Sequence, residues 1–143
     1  MARGRHGARR LLLQALYQRQ VGGHSTAELV AQFSDRKEFR GIDAGYFLAL
    51  IHEITADEPG LDELITRAAD RPVAQLDPVE RSILWIGLAE LRGHPDVPPG
   101  VVIDEAIELA REFGAQDGFR YVNAVLDAMA AQLRGGKAAG AGG

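Results

Sequence analysis

The stretch DPVERSILWIGLAEL, residues 77–91, decides the fold class. Asp77 is a capping residue, Pro78 takes the first helical position and Glu80 the third, which together are the signature of a helix start. The apolar residues that follow surround this helix on nearly every side, so we expect it to be central and buried. Gly87 inside it costs about 1 kcal/mol relative to Ala, and we attribute its presence to close packing against a neighbouring helix.

Helical periodicity continues on both sides of this stretch. Asp43 is a candidate cap for an apolar helix, Ser25 or Thr26 begins a shorter one, and Asp117 or Gly118 opens the last one. No segment shows the sustained alternation of apolar and polar residues that is typical of strands. The sequence therefore predicts an all-α protein of about seven helices.

The length of 143 residues suits a single domain, which we place at residues 1–134. Residues 135–143 are Gly, Ala and one Lys, and we expect this tail to be disordered. The Pro-rich loop at 95–99 is a candidate boundary between two helical halves. No apolar stretch approaches the roughly 20 residues that a membrane span needs.

Several kinds of chemistry are excluded by residue content. There are no cysteines, which rules out disulfides and thiolate metal sites and fits a reducing cytoplasm, where we expect the protein to act. The four histidines lack metal-ligand spacing, and no glycine-rich loop has the context of a phosphate cradle. We therefore expect no metal, no cofactor and no catalytic site, and we favour a binding protein over an enzyme.

Charge is divided unevenly along the chain. The first 20 residues hold five arginines and no acid, whereas the remainder holds 11 basic and 20 acidic side chains. This division suggests a polyanion partner at the basic end and a basic partner elsewhere.

The arginines occupy the start of the first helix, where Arg5 shares a face with Arg9 and His6 shares the adjacent face with Arg10. A helix N-terminus disfavours positive charge, so repeated arginines there suggest another use. Phosphate groups supply that use, because arginine binds them bidentately and releases their counterions. On charge alone, a nucleic-acid site and a solvated or unstructured basic end both stay open.

A second candidate region, residues 114–123, mixes aromatic, basic and amide groups at a helix start. Phe119 or Tyr121 is suited to stack on an unpaired base, and Asn123 to hydrogen-bond a base edge. The alternative is that Phe119 packs in the core and Asp117 only caps the helix.

Several motifs are spread along the chain from about residue 3 to residue 133. They are RHGARRLLLQALY at 5–17, Tyr46-Phe47, DPVERSILWI at 77–86, Ala89-Glu90-Leu91, Val97-Pro98, IDEAIELAREF at 103–113 with Gly114, and YVNAVLD at 121–127. Together they resemble the NusB family of bacterial transcription antitermination factors. The most specific is the combination of IDEAIELAREF and Gly114 with YVNAVLD.

The resemblance implies a fold of two small packed helical bundles. It also implies binding to boxA RNA as a heterodimer with NusE, a small-subunit ribosomal protein. That complex joins NusA and NusG on RNA polymerase and permits read-through of terminators, notably in ribosomal RNA operons. An arginine-rich start without acidic residues is also typical of a transit peptide. We set that interpretation aside, because these residues lie inside the stretch that resembles the family.

The resemblance also implies site residues. The expected RNA contacts at the first helix are Arg3, Arg5, His6, Arg9 and Arg10. Many family members have a more continuous basic run, so we expect Arg5 and Arg9 to carry more of the contact here. Gly7 weakens the start of the helix, so we expect part of this segment to become ordered only when RNA binds.

At the second region the resemblance assigns RNA binding to Asp117 and Tyr121, with Arg120 as the basic group between them. Tyr17 and Glu80 match positions that the family uses towards NusE. Two alternatives stay open: the accessory domain of a ribosomal RNA cytosine methyltransferase, and a structural helical dimerisation module. The sequence leaves the oligomeric state open.

Overall fold

The computed structural model describes residues 2–69 and 72–135, with side chains from residue 4 onward. Within these ranges the chain forms seven α-helices and two short 3-10 helices, with no strand, which confirms the predicted all-α class. The α-helices are α1 Ala2–Gly22, α2 Thr26–Ser34, α3 Ala44–Ala56, α4 Glu58–Ala68, α5 Pro78–Gly93, α6 Pro99–Phe113 and α7 Gly118–Leu133. The 3-10 helices are Lys37–Gly41 and Val73–Gln75.

The helices form two compact units, as the resemblance implied. The first extends to Asp57, and in it α1 packs against α2 and α3. Phe47 lies at its centre, with ring centroids 6.4 Å from Phe33 and 5.5 Å from Phe39. The fully buried apolar side chains of this unit include Leu12, Leu16, Leu29, Phe33, Phe47, Leu50, Ile51 and Ile54.

Side-chain caps fix where α2 and α3 begin, as the sequence predicted. The Ser25 hydroxyl accepts from the Glu28 amide at 3.1 Å, and the Ser25 amide donates to the Glu28 carboxylate at 2.8 Å. This reciprocal pair is a capping box, and the hydrogen bond from the Ser25 backbone lowers the pKa of Glu28. The Asp43 carboxylate accepts from the Tyr46 amide at 3.0 Å and starts α3.

The second unit begins at Glu58 and is organised around α5, which packs against α4, α6 and α7. Every residue from Ser82 to Leu91 is buried, which confirms the predicted central helix. A Cβ at Gly87 would lie 2.9 Å from Cδ1 of Leu126 on α7. The expected close packing at Gly87 is therefore confirmed.

The prediction that the Pro-rich loop at 95–99 separates two halves is wrong, because the boundary lies between Asp57 and Glu58. Arg134 holds this loop inside the second unit. Its guanidinium donates to the carbonyls of Leu91, His94 and Val97 at 2.8, 3.0 and 2.9 Å. A long-range contact from the far end of α7 thus overrides the local turn composition.

The predicted tail at 135–143 lies, beyond Gly135, outside the described residues, as does the side chain of Arg3. The assignment of residues 1–134 to a single domain stays a prediction.

Candidate nucleic-acid interface

The start of α1 brings Arg5 onto an aromatic ring. Its Cζ atom lies 4.2 Å from the centroid of Tyr46, and its Nε lies 3.8 Å from the Asp43 carboxylate. Asp43 and Tyr46 belong to the start of α3, so the cap of one helix orients the arginine of another. The Arg5 side chain remains 35 % exposed, which places a stacked cation at the surface of the first unit.

The other basic residues of α1 differ in burial. Arg9 lies over the same Tyr46 ring, with Cζ 5.5 Å from its centroid, but is only 3 % exposed. A phosphate contact from Arg9 therefore requires its side chain to move. His6 and Arg10 are half-buried. Arg5 is thus the more accessible of the two arginines that the sequence singled out.

Two glycines let the start of α1 approach the chain that precedes α3. The Asp43 amide donates to the Gly4 carbonyl at 2.9 Å. A Cβ at Gly7 would lie 2.7 Å from Cγ2 of Ile42. The helix is continuous from Ala2 through Gly7; that part of this segment orders only when RNA binds stays a prediction. Tertiary packing outweighs the poor helix propensity of glycine here.

The start of α7 has an unusual backbone. Asp117 has φ 66° and ψ 2°, the left-handed region that residues other than glycine seldom adopt. Its side chain forms no capping hydrogen bond; instead its Oδ1 lies 3.4 Å from Nε of Arg120. Of the two predicted opening residues, Asp117 and Gly118, the helix begins at Gly118, and Asp117 precedes it without a side-chain cap.

Phe119 lies between two arginines. The Cζ atoms of Arg111 and Arg120 lie 4.5 and 5.2 Å from the Phe119 centroid. Phe119 is half-buried, while both arginines are exposed. Phe119 is thus partly packed, as one alternative from the sequence held, and it also lies beside two exposed guanidinium groups.

Tyr121 and Asn123 continue the same helix differently. Tyr121 is half-buried, and its hydroxyl oxygen is buried. Asn123 is exposed. The ring of Tyr121 is therefore available for stacking over only part of its surface.

The two predicted partner contacts lie in contrasting environments. Tyr17 is 42 % exposed and lines a groove of about 340 Å³ on the first unit, beside Val21, which is 62 % exposed. Glu80 is only 7 % exposed. The groove is completed by Gln14, Gln18, Gly22 and Arg36.

Sequence reasoning missed Tyr46 and Arg111 as members of the two arginine–aromatic clusters. Tyr46 fits the apolar stripe of α3 and therefore looked like core. Arg111 lies eight positions before Phe119, across the turn between two helices, and no fixed spacing links such a pair.

Neither a metal site nor a membrane span is found in the part of the chain that the structure describes. No group of three or more His, Asp or Glu side chains is placed to hold a metal ion there. No helix of residues 2–69 and 72–135 has the length and apolarity to cross a bilayer.

Comparison with known proteins identifies the family to which this chain belongs. The NusB family model matches residues 6–131. The chain belongs to the NusB family. The transcription antitermination protein NusB of Alcanivorax borkumensis is 48 % identical over 130 residues, which cover 91 % of this chain and 87 % of that protein. The NusB of Acidovorax sp. strain JS42 is 44 % identical over 92 % of this chain and 74 % of its own length.

Solved NusB structures share the fold. NusB of T. maritima superposes with a TM-score of 0.82 and 25 % identity, covering 94 % of this chain and 95 % of that one. A crystal structure of antitermination factors NusB and NusE in complex with dsRNA gives 0.83 and 27 %, covering 92 % and 99 %. The resemblance seen in the sequence motifs is confirmed.

Proposed function

We propose that this protein is a transcription antitermination factor that binds boxA RNA as a heterodimer with a NusE ribosomal protein. The observation that carries the proposal is the stacking of Arg5 on Tyr46 at the start of α1. The N–H donors of a guanidinium lie in its own plane and suit bidentate contact with phosphate, and the ring beneath Arg5 helps to hold this group in place. The names of the NusB relatives and the NusB–NusE–dsRNA structure support this function.

The start of α7 supplies a second contact of different chemistry. Arg111 and Arg120 flank Phe119, which gives positive charge beside an aromatic face. Unpaired RNA bases stack on aromatic and guanidinium planes, and backbone phosphates pair with arginine. We assign RNA contact to Arg5, His6 and Arg10 at one turn and to Arg120 and Tyr121 at the other, with Arg3 and Arg9 as further candidates.

The partner surface follows from exposure and charge. Tyr17 and Val21 are large apolar side chains left exposed beside a groove, which is typical of a protein contact. Beyond residue 20 the chain holds 20 acidic and 11 basic side chains, a balance that suits a basic ribosomal protein. We infer that the heterodimer joins NusA and NusG on RNA polymerase and supports read-through of ribosomal RNA operons.

The test is a fluorescence anisotropy titration of boxA RNA and a scrambled RNA of equal length, with and without NusE. We expect boxA RNA to bind about tenfold more tightly than the scrambled RNA when NusE is present, a difference of about 1.4 kcal/mol. Arg5→Gln should weaken binding, whereas Arg67→Gln, which removes an exposed charge outside both turns, should not. Equal affinity for both RNAs would contradict the proposal and favour the dimerisation or methyltransferase-accessory alternatives.

A further inference from the structure

Glu80 has a buried carboxylate that packs on the first residue of another helix. It lies in the first turn of α5 and is only 7 % exposed. A Cβ at Gly118 would collide with Oε2 of Glu80 and lie 3.2 Å from its Cδ. The carboxylate therefore occupies the space that any side chain at position 118 would need.

This carboxylate lies where the start of α7 favours a negative group. The amides of Gly118 and Arg120 already donate to the carbonyls of Ala115 and Asp117 at 3.0 and 3.1 Å, but the positive end of the helix dipole still favours a negative group beside them. The Asp117 side chain forms no capping hydrogen bond. The carboxylate packed against this helix start thus comes from α5, about 40 residues earlier in the chain.

The first turn of α5 is itself firmly held. The Asp77 carboxylate accepts from the Val79 amide at 2.7 Å, and the Ser82 hydroxyl donates to the Pro78 carbonyl at 2.8 Å. Arg81 pairs with Asp62, whose Oδ1 also accepts from Trp85 Nε1 at 2.9 Å. Glu80 therefore projects from a turn that has little freedom to move.

We propose that Glu80 is a positioning residue for RNA binding, and that its carboxylate fixes the Asp117–Gly118 turn that presents Phe119 and Arg120. This inference rests on the proposed function, because it concerns how one RNA-binding turn is held. It also gives Glu80 a second role: besides the partner contact that the resemblance implies, its carboxylate, only 7 % exposed, acts on α7. The left-handed Asp117 is the part of the turn that most needs such support.

The first test compares Glu80→Gln, which keeps the size and removes the charge, with Glu63→Gln, which removes an exposed carboxylate on α4. The measurements are the RNA dissociation constant without NusE, the NusE dissociation constant, and the backbone amide chemical shifts of residues 117–121. We expect Glu80→Gln to weaken RNA binding about threefold to tenfold and to move those shifts, and Glu63→Gln to do neither.

Three results would overturn the inference. If the shifts of residues 117–121 stay unchanged in Glu80→Gln, the carboxylate does not hold this turn, whatever the RNA affinity. If the shifts move but RNA affinity equals that of the wild type, the turn is held without serving RNA. If only NusE affinity falls, the partner contact is the sole role of Glu80.

A double-mutant cycle gives an independent check. Gly118→Ala should weaken RNA binding because its methyl group displaces the carboxylate, and Glu80→Ala should do so because the carboxylate is gone. The double variant should lose less RNA-binding free energy than the sum of the two single losses, because both substitutions remove the same contact. Simple additivity would contradict the inference. If the wild type instead binds boxA RNA and scrambled RNA equally, the proposed function itself is wrong. Failure of this inference and failure of the proposed function are therefore distinguishable.

Discussion

The starts of α1 and α7 both depend on a glycine that admits a neighbour, but the neighbours differ in kind. Gly7 makes room for the methyl group of Ile42, whereas Gly118 makes room for the carboxylate of Glu80. The first turn is therefore held by apolar packing, and its arginines meet an aromatic ring. The second turn is held by a buried charge. Two sites that look alike in composition thus respond to different substitutions.

The backbones of the two turns differ as well. α1 is regular from Ala2 onward, while α7 begins after a left-handed Asp117. A non-glycine residue in that region carries strain that the surrounding structure must offset. We therefore expect the first turn to respond mainly to bulk and the second mainly to backbone conformation and charge.

The largest effect is expected from bulk at the first turn. Gly7→Leu should lower the free energy of unfolding by about 1–3 kcal/mol, because its side chain meets Ile42. Gly45→Leu is the matched control: a Cβ there has only Asp43 Oδ1 within 4 Å, at 3.7 Å, so its stability should stay near or above that of the wild type. Urea denaturation measures the free energy of unfolding of both variants. Equal stability would contradict the claim that close packing on Ile42 requires glycine at position 7.

Backbone conformation at the second turn comes next. Asp117→Ala should destabilise the protein by about 1 kcal/mol, because alanine tolerates the left-handed region poorly. Asp117→Gly should be at least as stable as Asp117→Ala despite its greater unfolded-state entropy. The comparison uses the same urea denaturation, and a more stable alanine variant would show that position 117 carries no conformational demand.

The aromatic support of Arg5 predicts a smaller change, seen in RNA affinity. Tyr46→Leu should raise the RNA dissociation constant about twofold to fivefold, since a cation–π contact contributes about 0.5–1 kcal/mol at exposed sites. Tyr46→Phe keeps the ring and should bind like the wild type. Anisotropy titration measures the RNA dissociation constant of both variants. If Tyr46→Phe binds RNA as weakly as Tyr46→Leu, the hydroxyl rather than the ring is needed.

The smallest effect is expected at Arg120. Its pairing with Asp117 is exposed, so Arg120→Gln should change the free energy of unfolding by less than about 0.5 kcal/mol. Thermal and urea denaturation should give values that overlap those of the wild type. A loss above about 1 kcal/mol would show that the pair stabilises the turn, contrary to the role given to Glu80.

Local sequence signals predicted the helices well, because the caps at Ser25, Asp43 and Asp77 and the apolar periodicity act within a few residues. They failed where distant contacts decide. The loop at 95–99 looked like a boundary, but Arg134 binds it to the second unit.

The candidate site shows the same limit. The arginines of α1 were evident from composition, but their division into half-buried Arg5 and buried Arg9 depends on how α3 packs. The contact of Glu80 with Gly118 joins residues far apart in the chain. Side-chain chemistry was thus visible in the sequence, whereas burial and pairing were not.

The most direct test of the account is the salt dependence of RNA affinity for the wild type, Arg5→Gln, Arg120→Gln and the double variant. If each turn neutralises a phosphate of single-stranded RNA, each substitution should lower the slope of log affinity against log salt by about 0.7, and the double variant by about 1.4. Unchanged slopes in all three variants would contradict the claim that both helix starts contact the RNA backbone.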